Sequence, residues 1–243
     1  MDAAALARAM GGTADYAALV GPMNEAMRAA GITTPLRAAM WCAQIGHESV
    51  GLRYMEEIAS GQAYEGRADL GNTQPGDGRR YKGSGPIQLT GRANFRAFTR
   101  WAQAQGHTTI DFEASPELVR ADPRWGFLAA SWYWTVARPQ LNALADAGDL
   151  VGATRAINGG TNGLDDRRAR YQRCLQLGAA LLPTGGNHVT IEKRLDYPRD
   201  EVHQDTAWNC GPATAQTIIR AAVKKFIPES TLAKEMGTHR GGA

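Results

Sequence analysis

Glu48 and Glu57 stand nine positions apart, and a hydroxyl residue, Thr90, follows in a glycine-rich run. Two carboxyl groups and a hydroxyl suit hydrolysis of a glycosidic bond by inversion. One carboxyl protonates the leaving oxygen while the other takes a proton from water on the opposite face, with roughly 6.5–9.5 Å between the two. The attacking water needs two acceptors to fix it, and a threonine oxygen beside the basic carboxylate supplies the second. Taken singly, either glutamate also reads as an ordinary solvated charge, since most carboxylates face water. A glutamate that closes an apolar helix is less ordinary.

Such a helix must deliver Glu48. Thr33 or Thr34 can cap it, Pro35 suits its first position, and Leu36 to His47 carries no charge apart from Arg37 and the terminal histidine. The pattern predicts a buried helix that stops near Gly51. Its surroundings and the negative end of its dipole both favour a carboxyl that keeps its proton, as a general acid requires. The segment from Ser49 to Glu57 is too short and too glycine-interrupted to continue that helix, so Glu57 can face Glu48 across a groove. Glu56 and Glu65 compete for the second role, but spacing from Glu48 favours Glu57. Glu65 reads either as a cleft residue paired with Arg67 or, preferably, as a solvated loop charge. His47-Glu48 lacks a second histidine four residues on, and the cysteines show no zinc spacing, so no metal and no cofactor is expected.

The run Tyr81-Lys82-Gly83-Ser84-Gly85-Pro86-Ile87-Gln88-Leu89-Thr90, with Asn94 four residues later, resembles a signature of glycoside hydrolase family 19, the chitinases and related phage and bacterial lysozymes. His47-Glu48-Ser49 followed by Tyr54-Met55-Glu56-Glu57 is similar to the family's other signature, and the resemblance spans roughly residues 15–180. It implies a mainly α, lysozyme-like, two-lobed helical glycosidase domain with a small C-terminal appendage. It further implies that Glu48 is the general acid, Glu57 the general base and Thr90 the group that holds the water. His47, Tyr81, Gln88 and Asn94 would serve the sugar cleft, Asn158 its edge, and Arg167 would support the carboxylates from a place near Glu57. Where the family has an arginine between two glycines this chain has Ser84, which either alters the charge around the cleft or is offset by a neighbour such as Arg79 or Arg80.

Elsewhere the pattern is one of packing. Residues 14–30 and 93–105 read as helices with apolar faces, and His107 as a surface histidine in a turn. Of the consecutive aromatics Trp132, Tyr133 and Trp134, only one can face a groove, so two belong to the core. Arg168, Arg170 and Arg173 read as a solvated or wall-facing surface.

With 243 residues, 43% of them hydrophobic, the chain can bury one full core and part of a second. The expected division is a catalytic domain over 1–181, a linker over 182–187 and an appendage over 188–243. The net charge of +3 suits an anionic polymer, but basic runs with interleaved aromatics are missing, which argues against nucleic acid. Neither a signal peptide nor a membrane span is read. Cys42, Cys174 and Cys210 are too scattered for a disulfide framework. Cys210-Gly211-Pro212-Ala213 resembles the opening of a papain-fold peptidase, but the only downstream histidine, His239, lies in a glycine-rich tail, so a truncated or degenerate peptidase-like piece, kept as a wall-binding or packing appendage, is expected.

The expected function is an endolysin-type muramidase that cuts peptidoglycan glycan strands, waiting in a host cytoplasm until the membrane is breached. Chitin is the alternative polymer. A non-catalytic wall binder and a Cys210 peptidase are the alternatives of another class.

Overall fold

The computed structural model describes residues 1–184. Cys210, His239 and the whole 188–243 appendage lie outside the described residues, as does half of the expected linker, residues 185–187.

Among the described residues ten α-helices follow one another: α1 (Ala3–Met10), α2 (Tyr16–Ala29), α3 (Pro35–Glu48), α4 (Asp77–Arg80), α5 (Arg92–Ala104), α6 (Glu117–Ala121), α7 (Pro123–Trp132), α8 (Leu141–Asp146), α9 (Leu150–Asn158) and α10 (Leu164–Leu177). Pairing of β type is limited, among the described residues, to the bridges Glu56↔Ser84 and Ser84↔Leu89. The chain is mainly helical, as expected. None of these helices is long and apolar enough to cross a membrane.

Helix α3 is the axis of the larger core. Thr34 caps it by accepting the Arg37 N–H at 3.2 Å, Pro35 occupies its first turn, and Ala38 to Gly46 are buried without a break. Such a helix survives only when covered on all sides. α1, α8 and α10 pack along it, together with the last turn Gly178–Leu181. Cys42 and Cys174 meet in this core as buried free thiols. A second, smaller core gathers Tyr81, Leu89, Phe95, Phe98, Phe112 and Trp132. α7 serves both, with Phe127 and Ala130 on the first side and Leu128 and Trp132 on the second. This is the two-lobed arrangement in physical terms.

Trp132 and Trp134 are buried, whereas Tyr133 is half-buried with its phenol on the Ile157 carbonyl at 2.9 Å. Two of the three aromatics are therefore core. His107 departs from expectation: its ring packs on Trp101 at 5.0 Å, and burial lowers its basicity. Arg170 and Arg173 also depart, because their guanidiniums donate to the Met10 and Ala9 carbonyls and tie α10 to the end of α1. Orphan carbonyls at a helix end attract cations, which explains the preference for α1 over solvent. Arg168 stays exposed beside Asp165.

Candidate active site

Glu48 is the last residue of α3, and Gln44 lies one turn earlier on the same face. α10 crosses that face and inserts Arg167, which is 1% exposed. Its two terminal nitrogens donate to Gln44 Oε1 and Glu48 Oε1. Gln44 is held in turn by Thr154 of α9 at 3.3 Å. The expected position of Arg167 beside Glu57 is thus corrected. The face of α10 that packs on α3 meets Glu48, and a guanidinium with no solvent access cannot touch a sugar. Glu48 keeps 24% of its side chain exposed, and its Oε2 has no partner among the described residues.

After α3 the chain reverses through Val50, Gly51 and Leu52, all with positive φ (51°, 70° and 68°). For a β-branched valine that conformation is a genuine outlier, and such strain persists only where the surroundings over-determine it. Here the Tyr16 phenol donates to the Gly51 carbonyl at 3.0 Å, and Ser49 Oγ accepts the Leu52 N–H at 2.9 Å. The reversal carries the chain from Glu48 to the second carboxylate.

Glu57 is fixed by the β bridges. Its N–H donates to the Gly83 carbonyl at 2.9 Å, and the Gly83 N–H returns to Glu57 Oε2 at 2.9 Å. Because Ser84 pairs with both Glu56 and Leu89, the antiparallel register sets Glu57 and Thr90 on either side of Gly83. Residues in one row of such pairing project to the same face. Gly83 contributes no side chain between them. A Cβ there would sit 2.4 Å from Gln88 Oε1 and 3.1 Å from Glu57 Oε2, so two oxygen acceptors already lean over this glycine. Thr90 donates its hydroxyl proton to the Gln88 carbonyl at 2.8 Å, which leaves its lone pairs as acceptors. Gln88 has φ 56°, and Asn94 ties to the Thr90 carbonyl at 2.8 Å.

The remaining expected residues divide. His47 is half-exposed and its Nδ1 meets Asp166 at 2.7 Å. Asn158 is exposed, but its amide bridges Gly160 and Asn162 within its own loop. Tyr81 is corrected: it is 0% exposed, stacks near Phe95 and spends its hydroxyl on the Glu113 carbonyl, so it is a core residue and not a sugar contact. Glu65 is not paired with Arg67: it is half-buried and its oxygens accept the Gly76 and Gly78 N–H groups at 2.6 and 2.7 Å, while Arg67 pairs with Asp69. The guanidinium that reaches Ser84 is that of Arg120, at 3.3 Å, which also meets Glu56, and not that of Arg79 or Arg80. Lys82 binds Glu56 as well, at 2.9 Å. Sequence reasoning missed Gln44, Arg120 and Tyr64, whose phenol donates to Glu57 Oε1 at 2.9 Å. Each acts across a loop or between helices, where spacing carries no signal.

The family described as chitinase class I, glycoside hydrolase family 19, matches residues 24–149. A glycosyl hydrolase family 19 domain-containing protein of Haemophilus influenzae is 29% identical, over 59% of this chain and 80% of its own length. An endochitinase of Arabidopsis thaliana is 37% identical over 56% of this chain, and the match spans only half of that protein. A basic endochitinase of Brassica napus, at 36%, is likewise half spanned. Among solved structures, chitinase C from Streptomyces griseus superposes with a TM-score of 0.57 at 25% identity, over 76% of this chain and 78% of that one. A bacterial family 19 chitinase covers the same 76% at 24% identity and 97% of its own length, also with a TM-score of 0.57.

Proposed function

The chain belongs to glycoside hydrolase family 19, and from that premise we propose that it cuts the β-1,4 linkages of peptidoglycan glycan strands by a single inverting displacement. In this reading Glu48 gives its proton to the bridging oxygen as the bond to the anomeric carbon breaks. Water attacks that carbon from the other face and passes a proton to Glu57. Thr90, its own proton engaged by the Gln88 carbonyl, accepts a hydrogen bond from the same water. The supporting observation is the row Glu57–Gly83–Thr90, in which the bridge register sets two acceptors on either side of a residue without a side chain. Glu65, with both oxygens occupied by backbone donors, is poorly suited to compete as the base.

Peptidoglycan is favoured by the mild positive charge and by a C-terminal segment resembling wall-associated peptidases. Chitin is the second reading, favoured by the names of the plant and bacterial relatives. An endolysin's role, with release onto the wall after the membrane is breached, belongs to the same proposal. Purified protein is incubated with bacterial cell walls and, in parallel, with chitin oligomers. New reducing ends from walls, with fragments whose masses show cleavage between the two amino sugars, support the muramidase. Reducing ends from chitin alone transfer the proposal to a chitinase. New amines indicate a peptidase, and no products indicate a binder.

A further inference from the structure

The carboxylate of Glu57 has one donor on each oxygen: the Gly83 N–H on Oε2, and the Tyr64 phenol on Oε1 at 2.9 Å. A glutamate's last torsion is broad, so one donor leaves the plane of the carboxylate free to rock, whereas two fix it. The Gly83 donor is part of the bridged backbone. The Tyr64 donor comes from a separate turn, Gln62–Tyr64, and is only as well placed as that turn. The turn is anchored on both sides. The Tyr64 carbonyl accepts from Asn72 Nδ2 at 2.9 Å, and the buried Asn72 also accepts the Arg92 N–H. The next residue, Glu65, grips the start of α4 through two backbone N–H groups. Burial, followed by the hydrogen bond and the charge of Glu57, holds the Tyr64 phenol above its ordinary value, so it remains a donor throughout the neutral range.

We propose that Tyr64 is a positioning residue for Glu57, and that Glu65 acts on the reaction through Tyr64 by fixing the turn that carries it. This rests on the reading of Glu57 as the base. One lone pair on each Glu57 oxygen stays free, and the two donors determine which direction those lone pairs face. A base held at a fixed angle to the attacking water accelerates proton transfer without tightening the hold on the sugar.

The test uses the full chain on a soluble glycan oligomer that it cleaves. Tyr64→Phe is expected to lower kcat by about tenfold to a hundredfold, in line with small misplacements of a catalytic group. KM should stay close to wild type, and the acid limb of the kcat profile should move to higher pH. Glu65→Gln keeps one acceptor for α4 and is expected to give a smaller fall in the same direction. The double variant should be no slower than Tyr64→Phe alone, because the two act as one unit. Unchanged kcat and pH profile in Tyr64→Phe, a raised KM at constant kcat, or effects of the two substitutions that simply multiply would each overturn the proposal. Glu57→Gln is measured alongside. Retained turnover there removes the premise, whereas an inactive Glu57→Gln beside a Tyr64→Phe of wild-type kinetics removes the positioning role alone. A melting temperature near wild type for Tyr64→Phe is expected, since every backbone anchor of the turn remains.

Discussion

At the scale of the residue, the two glutamates differ in their company. Glu48 is met by a buried arginine and has one oxygen open. Glu57 is met by a phenol and a backbone N–H. Glu48→Gln leaves an amide oxygen for Arg167, so the fold should persist while the proton donor is lost. A fall in kcat of about a hundredfold or more, with an unchanged melting curve, is expected; turnover at a tenth of wild type would contradict the assignment. Arg167→Lys should behave in the opposite way. A shorter ammonium lacks the planar fork that reaches Gln44 and Glu48 together, and losing a hydrogen bond to a charged group typically costs about 1.5–3 kcal/mol. Thermal melts should show that loss before any assay does. Glu48 and Glu57 could be named as candidates from their type and spacing, and Thr90 from the resemblance of residues 81–90 to a family signature. The partners of Arg167 and the burial of Tyr81 were not, since Arg167 and Glu48 are 119 positions apart and meet only after α10 packs on α3.

At the scale of the element, helices α2, α3 and α5 were legible from caps and apolar period, and α3 in particular from Thr34-Pro35 and its uncharged length. The turn Tyr133–Ala137, wound as a π-helix, was not, because nothing local to its sequence demands the wider winding. Nor were the bridges through Ser84, which join short segments with no alternating pattern. Those bridges give a sharp test. Gly83→Ala puts a methyl group against Gln88 and Glu57, so kcat should fall well below wild type while the melting temperature changes little. Equal loss of both would mean that the bridge, and not the site, had failed. The short helix α4 carries a second test. Asp77 is buried and held below the usual carboxylate range, first by its hydrogen bond from Arg92 and against the effect of burial. A depressed carboxylate stabilises the fold above its ordinary value of 3.8, and that contribution fades as pH falls through the lower folded value. Asp77→Asn should therefore melt lower than wild type at neutral pH, with a loss of about 3 kcal/mol. The gap should narrow in melts taken progressively below pH 3.8. A gap independent of pH would show that the ion pair is not the cause.

At the scale of the whole molecule, the proposed catalytic groups and the side chains that hold them all precede residue 181, which makes the proposed boundary there testable. Leu181 is fully buried, and the turn that carries it packs on α1 and α3. The Met1 ammonium reaches Thr184 Oγ1 at 2.6 Å and the Leu182 carbonyl, so the first and last described residues close on each other. A chain ended after Thr184 keeps all of these contacts. It is expected to melt where the full chain melts and to cleave soluble oligomers at the same rate. A chain ended after Leu177 loses Leu181, a deletion comparable to emptying a leucine site at about 2–5 kcal/mol, and should melt visibly lower. If residues 188–243 bind the wall, the Thr184 chain should lose activity on intact walls while keeping it on oligomers, and Cys210→Ser in the full chain should change neither. Lost oligomer cleavage in the Thr184 chain would instead make the appendage part of the catalytic domain, and altered glycan cleavage in Cys210→Ser would give that thiol a role the glycosidase reading does not contain.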